Sequence, residues 1–263
     1  MNIGLIIVGD EILSGKRQDK HLPKVIELLA ARGLALGWAR YVGDDRPRIT
    51  ADLRHAFSCG DVVFSCGGIG ATPDDHTRQC AAAALGVDLA LHPQARELIL
   101  ERMRDVASEQ GLPYEPDRAD NVHRLNMGMF PLGAAIIPNP YNKIAGFSLG
   151  DVHFVPGFPV MAWPMIEWVL DHHYAHLHGS GRAVERSVIV FGAMEASLTP
   201  LMEDIEARFA GIKVFSLPSV DHPQWGKHIE LGVKGLGDSL AAFAALRQGL
   251  EQFGAKFGPE IVR

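Results

Sequence analysis

The residues best suited to chemistry lie together in one glycine-rich stretch, Ser65–Thr77, which reads SCGGIGATPDDHT. An apolar run over residues 61–65 leads into it and is typical of a short buried strand. Gly67, Gly68 and Gly70 let the backbone adopt positive φ and approach a ligand without a Cβ atom in the way. A strand, a glycine turn and a helix in this order predict a cradle for a phosphate group.

The end of this stretch has the sequence of a helix start. Thr72 is expected to cap a helix that begins at Pro73, with Asp74 and Asp75 in the first turn. Acidic residues near a helix N-terminus also interact favourably with the helix dipole, so an ordinary helix start explains them equally well. This stretch alone leaves two alternatives open: a ligand-binding site and an ordinary helix start with a purely structural role.

Two further acidic pairs follow apolar runs that are typical of buried parallel strands. Asp10 and Glu11 follow the first run, and Asp44 and Asp45 follow the second. If the strands are parallel, all three acidic turns lie at one edge of the sheet, where open α/β sheets bind ligands. This convergence favours a binding site over an ordinary helix start.

Six carboxylates around one crevice repel each other and any phosphate group. A divalent cation, Mg²⁺ in the first instance, favours such a cluster because carboxylates and ligand phosphates bind it jointly. We therefore predict a metal-dependent, phosphate-containing small-molecule ligand. Basic residues that could neutralise the remaining charge are Lys16, Arg17, Arg46, Arg48 and Lys143.

The composition is that of a globular protein of 263 residues, with 47% hydrophobic and 21% charged residues. A net charge of −6 gives no general attraction to nucleic acid, so no nucleic-acid partner is expected. No apolar run approaches the ~18 residues of a membrane helix, and no membrane partner is expected. The three cysteines lack CxxC spacing and are expected to be reduced thiols of a cytoplasmic protein.

The order of predicted elements indicates two domains. Strands alternate with helices over residues 1–178, which predicts a three-layer, doubly wound α/β domain with a mostly parallel sheet. The small, polar stretch 178–182 is the best candidate linker. Residues 179–263 predict a smaller α+β module in this order: a strand at 186–191, a helix at 196–209, strands at 212–217 and 228–234, and a helix at 239–253.

Three blocks of the sequence together resemble a known family. They read Gly9-Asp-Glu-Ile-Leu-Ser-Gly15, Val42-Gly-Asp-Asp45 and Cys66-Gly-Gly-Ile-Gly-Ala-Thr-Pro-Asp-Asp-His-Thr77. They are similar to the signature blocks of the competence/damage-inducible protein A (CinA) family, in the MoaB/Mog-like superfamily of molybdopterin-binding domains. The resemblance is strong over residues 1–90 and looser afterwards, and the C-terminal module is similar in position to the small KH-like domain of CinA proteins.

The resemblance implies a Mog-like α/β fold, a homo-oligomer (a dimer or a trimer), and a pocket for a molybdopterin-type or nucleotide ligand. Together with the turns described above, it assigns ligand binding to Gly9, Asp10, Glu11, Ser14, Gly67, Gly68, Gly70, Thr72, Asp74 and Thr77. The residues expected to hold Mg²⁺ or another divalent cation are Asp10, Asp44 and Asp75.

The resemblance also implies a possible reaction, because some CinA-type domains are associated with metal-dependent ADP-ribose pyrophosphatase activity. Such a reaction uses the cation to polarise a phosphoryl oxygen and a carboxylate to activate water. Asp75 matches the functional aspartate that follows the glycine turn in the superfamily and is the first candidate for that base. Asp45 is the second candidate.

Two segments depart from the family pattern. Tyr141-Asn-Lys-Ile-Ala-Gly146 replaces a Gly-Thr-Ala-Pro-Gly segment, and Met161 replaces a carboxylate with a thioether that neither binds Mg²⁺ nor acts as a base. The amidase domain of CinA proteins is absent from the sequence, so nicotinamide-nucleotide deamidation is not expected. Three functions stay open: a metal-dependent nucleotide pyrophosphatase, a non-catalytic molybdopterin- or nucleotide-binding protein related to molybdenum cofactor biosynthesis, and a structural protein.

Overall fold

The computed structural model describes residues 2–179, 184–235 and 238–262 of the chain. The chain forms two compact units, Met1–His178 and Gly179–Arg263. Residues 180–182 of the predicted linker lie outside the described part of the chain. None of the helices in the described residues is both long and apolar enough to cross a bilayer.

The first unit is built around a six-stranded sheet, beside a separate two-stranded ribbon. Its strands are β1 (Ile3–Val8), β2 (Trp38–Val42), β3 (Val62–Cys66), β4 (Leu89–Leu91), β5 (Met129–Pro131), β6 (Ala135–Ile137), β7 (Gly146–Leu149) and β8 (Val152–Val155). The strand order in the large sheet is β2-β1-β3-β8-β7-β6, and the ribbon pairs β4 with β5. Strands β2, β1, β3 and β8 are parallel, whereas β7 and β6 continue the sheet antiparallel. The predicted mostly parallel sheet is confirmed.

Helices cover both faces of this sheet. The helices of the first unit are α1 (Asp10–Leu13), α2 (His21–Ala31), α3 (Arg46–Ser58), α4 (Thr77–Leu85), α5 (Pro93–Gln110), α6 (Ala119–Arg124) and α7 (Pro159–His173). Leu5 and Ile7 of β1 belong to the core formed with α2 and α7, whereas Ile6 and Val8 belong to the core formed with α3 and α4. Strand β1 is therefore buried on both faces, as is typical of parallel sheets, and the predicted three layers are confirmed.

The described part of the second unit is an antiparallel sheet with two helices. Its elements are β9 (Val184–Phe191), α8 (Glu195–Arg208), β10 (Ile212–His222), β11 (Gly226–Gly235), α9 (Ser239–Gln252) and β12 (Lys256–Val262). The strand order is β10-β11-β9-β12, and apolar side chains of both helices and the sheet form one core. The predicted α+β character is confirmed. The sequence pattern does not predict β12, because Gly258 and Pro259 interrupt it, and these residues fall at an irregularity of an edge strand.

Candidate functional site

Parallel pairing brings the turns after β1, β2 and β3 to one edge of the sheet. Val8 pairs with Val42, and Ile7 pairs with Cys66, so the three strands end at nearly the same level. The turn after β8 joins them, because the backbone N–H of Gly67 donates to the carbonyl oxygen of Val155 at 3.0 Å. The acidic turns and the glycine turn therefore share one rim.

A cavity of about 540 Å³ is lined by residues from all of these turns. Its volume lies within the usual range for small-molecule sites. Sequence-predicted site residues in the lining are Gly9, Glu11, Asp44, Gly67, Gly68, Gly70, Thr72, Asp74 and Asp75. The remaining predicted site residues, which are absent from the described lining, are Asp10, Ser14, Asp45 and Thr77.

The turn after β3 requires glycine for steric reasons. Gly67 and Gly68 have φ values of 104° and 69°, in the region that side chains disfavour. A Cβ atom on Gly68 would collide with Oγ1 of Thr77, and a Cβ atom on Gly70 would lie 2.5 Å from Oδ2 of Asp75. The turn is therefore packed closely against the residues that follow it.

In this turn the backbone carbonyl oxygens are hydrogen-bonded, whereas, among the described residues, a run of backbone N–H groups is not. The carbonyl oxygens of Gly67 and Gly68 accept hydrogen bonds from the hydroxyl of Thr77 at 3.1 Å and from its backbone N–H at 2.9 Å. The backbone N–H groups of residues 68–71 have no acceptor within the described part of the chain. A run of unpaired N–H groups in a tight turn can bind an anion such as phosphate.

Arg78 holds the next two carbonyl groups of the turn. Its guanidinium donates to the carbonyl oxygen of Ile69 and, at 2.6 Å, to that of Gly70. Arg78 is buried, and burial lowers its pKa while the carboxylate of Asp75 raises it. The sequence pattern does not predict this role of Arg78. The predicted helix start at Pro73 would place Arg78 beyond the first turn, so the sequence contains no local signal for this role, and only the observed start at Thr77 places Arg78 in the first turn.

The helix after the glycine turn begins later than predicted. It begins at Thr77, whereas Thr72 donates from its backbone N–H and its hydroxyl to the carboxylate of Asp75, at 2.9 and 2.6 Å. The backbone N–H of Asp75 donates to the carbonyl oxygen of Thr72 at 3.1 Å. This bond closes a β-turn with Pro73 at its second position, which proline favours. The predicted cap was wrong because Thr-Pro-Asp-Asp fits a β-turn as well as a helix start.

Asp10 and Asp44 connect two of the acidic turns. The backbone N–H of Asp10 donates to the carboxylate of Asp44 at 3.0 Å, and the backbone N–H of Asp44 donates to the carboxylate of Asp10 at 3.1 Å. Burial raises the pKa of Asp44, and the neighbouring carboxylates of Asp10, Glu11 and Asp74 raise it further. Asp10 thus fastens the turns after β1 and β2 together, while Asp44 also lines the cavity.

Three more of the predicted site residues are absent from the described lining of the cavity, namely Asp45, Ser14 and Thr77. Asp45 caps α3, because its carboxylate accepts a hydrogen bond from the backbone N–H of Arg48 at 2.9 Å. Ser14 is an exposed residue at the C-terminal end of α1. Thr77 is fully buried behind the glycine turn. The side chains of Asp45 and Thr77 therefore influence the site through the backbone segments that they hold.

The described residues contain no group of three or more histidine, cysteine, aspartate or glutamate side chains arranged to hold a metal ion. The predicted cation ligands Asp10, Asp44 and Asp75 accordingly do not form such a group. The carboxylate of Asp10 accepts from the backbone of Asp44, and that of Asp75 accepts from Thr72. A cation at this edge would need oxygen atoms of a ligand to complete its coordination.

Arginine side chains supply positive charge in the lining. Arg17, which the sequence predicts, is joined there by Arg102 and Arg124 from α5 and α6. Arg102 is paired with Glu109 at 2.9 Å, whereas the side chains of Arg17 and Arg124 have no partner among the described residues. The other basic residues predicted to lie nearby are absent from the described lining: Lys16, Arg46, Arg48 and Lys143.

Lys143 instead fastens one loop of the cavity to α5. Its Nζ lies 2.5 Å from a carboxylate oxygen of Glu101 and 2.6 Å from one of Asp105, and hydrogen bonds to Asp105 and Glu101 raise its pKa. Its φ of 66° is in the left-handed region. The neighbouring residues Asn142 and Ile144 line the cavity. Lys143 therefore positions this loop.

The fold and the site together define a class of protein. It is a three-layer α/β domain with a small-molecule cavity at the carboxyl edge of its parallel strands and a glycine turn that can bind an anion. A sequence model of the family described as the probable molybdopterin binding domain matches residues 4–176. The chain belongs to this family.

Comparisons with known proteins agree with this assignment and confirm the resemblance to CinA proteins. The chain is similar to a CinA-like protein of Anaeromyxobacter dehalogenans (strain 2CP-C), at 32% identity over 220 residues that cover 81% of this chain and 51% of the relative. It is also similar to a CinA-like protein of Geobacter sulfurreducens, at 32% identity over 225 residues, with the same two shares of 81% and 51%. The chain spans about half the length of the curated relatives it matches.

A solved structure is similar to part of this chain. It is the protein CinA from Thermoplasma acidophilum, whose function is described as unknown. It aligns at 27% identity with a TM-score of 0.53, over 65% of this chain and 98% of that chain. The likeness supports the α/β fold described above.

Proposed function

We propose that the first unit binds a small molecule with a phosphate group and a heteroaromatic ring, either a molybdopterin-type compound or a nucleotide such as ADP-ribose. The observation that carries the proposal is the glycine turn, where the N–H groups of residues 68–71 have no acceptor among the described residues. Unpaired peptide N–H groups are costly unless a ligand or water accepts their hydrogen bonds. Arg17 and Arg124 add unpaired positive charge to the same lining.

A divalent cation is the second part of the proposal. Carboxylates that would repel a phosphate line the same cavity, among them Asp44 and Asp75. Mg²⁺ is usually held by one or two carboxylates together with substrate phosphates, so a complete protein site is not required. We propose that Asp44 holds the cation together with the ligand phosphate, joined by Asp75 in the form of the proposal without hydrolysis. When bound, the cation would polarise a phosphoryl oxygen.

In its more specific form, the proposal is that the protein hydrolyses a pyrophosphate bond of the ligand. Asp75 lines the cavity and lies beside the glycine turn, so we propose it as the base that accepts a proton from the attacking water. Asp45, the second candidate in the sequence, is not carried forward because its carboxylate caps α3. The alternative without hydrolysis is a binding protein related to molybdenum cofactor biosynthesis.

Calorimetric titration of the full chain tests ligand binding, with adenosine as the control that lacks a phosphate. We expect ADP-ribose and AMP to bind in the presence of Mg²⁺ and adenosine to bind at least tenfold more weakly, because the anion site would stay empty. Equal affinity for AMP and adenosine would contradict the proposed anion site, and the absence of any binding would contradict a nucleotide as the ligand.

Chromatography of the products from ADP-ribose with Mg²⁺, Mn²⁺ or Co²⁺ separates the two forms of the proposal. Release of AMP that is lost in Asp75→Asn, with an unchanged melting curve, would support hydrolysis. If Asp75→Asn released AMP at an unchanged rate, Asp75 would not be the base. Binding of ADP-ribose without release of AMP would leave the non-catalytic form standing.

A further inference from the structure

The cavity lining includes a set of apolar side chains from parts of the chain that are distant in sequence, and we call this set the apolar wall. Ile99, Met103 and Val106 line the cavity from α5, at spacings that place them on one helix face. They extend over about 10 Å, given a rise of about 1.5 Å per residue. The wall is completed by Met127, Phe158 and Met161. None of these six side chains has a conventional hydrogen-bond donor.

Phe158 stands out in this wall because it is 56% exposed. It follows Gly157, on which a Cβ atom would lie 3.4 Å from the Cα atom of Gly67. The turn that carries Phe158 is therefore in contact with the glycine turn. An exposed aromatic ring beside an anion site is suited to stacking on the ring of a ligand whose phosphate occupies that site.

The one amide side chain in the described lining is already engaged. Oδ1 of Asn142 accepts hydrogen bonds from Nδ2 of Asn139 at 2.8 Å and from the backbone N–H of Ile144 at 3.0 Å. Nδ2 of Asn142 donates to Sδ of Met161 at 3.3 Å. Asn142 therefore cannot form hydrogen bonds to the edge of a bound ring without losing contacts that hold its own loop.

We propose that the apolar wall is the subsite for a planar, bicyclic heteroaromatic ring, and that Phe158 stacks on this ring. The proposal rests on the function proposed above, and it adds the features of the cavity that determine which heteroaromatic rings bind. Thioethers such as those of Met127 and Met161 are polarisable and make favourable contacts with aromatic rings of varied substitution. The wall selects the ring by shape and stacking, so the site binds different purine and pterin rings with similar affinity.

Titration of the full chain with AMP, GMP and ribose 5-phosphate tests this selection. AMP and GMP carry different hydrogen-bonding edges on the same bicyclic ring system, and ribose 5-phosphate has no ring of this kind. We expect AMP and GMP to bind within about threefold of each other, and ribose 5-phosphate to bind at least tenfold more weakly. A difference above about 30-fold between AMP and GMP would overturn the inference, because it would require edge recognition.

The variant Phe158→Ala tests whether Phe158 is the residue that stacks on the ring of the ligand. We expect it to weaken AMP binding about tenfold and to leave ribose 5-phosphate binding unchanged. The matched control is Phe253→Ala, which removes a phenylalanine that is 54% exposed at the end of α9 and is absent from the described lining. It should leave both affinities unchanged.

The outcomes distinguish this inference from the proposed function. Equal affinity for AMP and ribose 5-phosphate, or equal losses for both in Phe158→Ala, would overturn the ring subsite and leave phosphate binding in place. Failure of all three compounds to bind would overturn nucleotide binding as the proposed function, and the ring subsite with it.

Discussion

Gly68 is the residue on which the proposed anion site depends most directly. Its backbone has a φ of 69°, and a Cβ atom there would collide with the hydroxyl of Thr77. That hydroxyl holds the carbonyl oxygen of Gly67 at 3.1 Å. A side chain at Gly68 would therefore displace both the turn and the N–H groups that we propose to bind phosphate.

Gly68→Ala should weaken AMP binding at least tenfold, measured by calorimetry. Gly86→Ala is the matched control, because Gly86 has a φ of 68° at the end of α4 but has nothing within 4 Å of a Cβ atom. Both substitutions place alanine in the left-handed region, at a cost of about 1–2 kcal/mol in the free energy of unfolding. Only Gly68→Ala should lose affinity. Equal affinities in the two variants would show that the glycine turn does not bind the ligand.

At the level of single residues, the sequence predicts which residues lie near the site better than it predicts what their side chains do there. Glycine and aspartate after a buried strand are recognisable, and Gly68 and Asp75 do lie in the lining. The sequence does not reveal that Asp45 caps a helix, because an N-cap and a ligand contact use the same carboxylate. Arg78 was missed because its partners are carbonyl groups, which are present at every position of a chain.

A buried chain of hydrogen bonds joins the β7–β8 hairpin to α7, the helix whose first turn lines the cavity. The hydroxyl of Tyr174 donates to Asp151 at 2.7 Å and lies 2.7 Å from Nε2 of His153. Nε2 therefore donates to the hydroxyl oxygen of Tyr174, and Nδ1 accepts from the hydroxyl of Ser148 at 2.8 Å. This arrangement uses the neutral form of His153.

The stability of the protein should depend on pH through His153. Burial lowers the pKa of His153 to about 3, whereas histidine in an unfolded chain has a pKa of about 6.5. Between these values the unfolded chain binds a proton that the folded protein excludes, so stability falls as pH decreases from about 6.5 towards 3. Thermal melting between pH 7 and 4 should show a smaller fall of the midpoint in His153→Gln than in the wild type.

The control for this experiment is His176→Gln, which changes an exposed histidine just after α7. This variant should retain the pH dependence of the wild type. If the midpoint of His153→Gln fell in parallel with that of the wild type, His153 would not be the group responsible.

Elements with a strong local pattern were predictable, and elements decided by distant contacts were not. Strand β1 is a continuous apolar run, and its parallel pairing places the acidic turns on one rim. The start of α4 depends on whether Asp75 closes a β-turn, which the residue types alone do not decide. The apolar face of α5 is visible in the sequence, but nothing local indicates that it forms a wall of the cavity.

On the scale of the whole molecule, every residue of the described cavity lining belongs to the unit Met1–His178. The family match over residues 4–176 falls within the same unit. The KH-like character of residues 179–263 stays a prediction from the family resemblance. Homo-oligomerisation as a dimer or trimer also stays a prediction, and light scattering of the purified chain would test it.

The central claim is that the backbone N–H groups of residues 68–71 bind the phosphate of the ligand. The most direct measurement is a titration of ¹⁵N-labelled protein with AMP, followed by amide chemical shifts in NMR spectra. We expect the amide signals of Gly68, Ile69, Gly70 and Ala71 to shift, to saturate together and to stay unmoved with adenosine. Saturable AMP binding that leaves these four signals unchanged would contradict the claim.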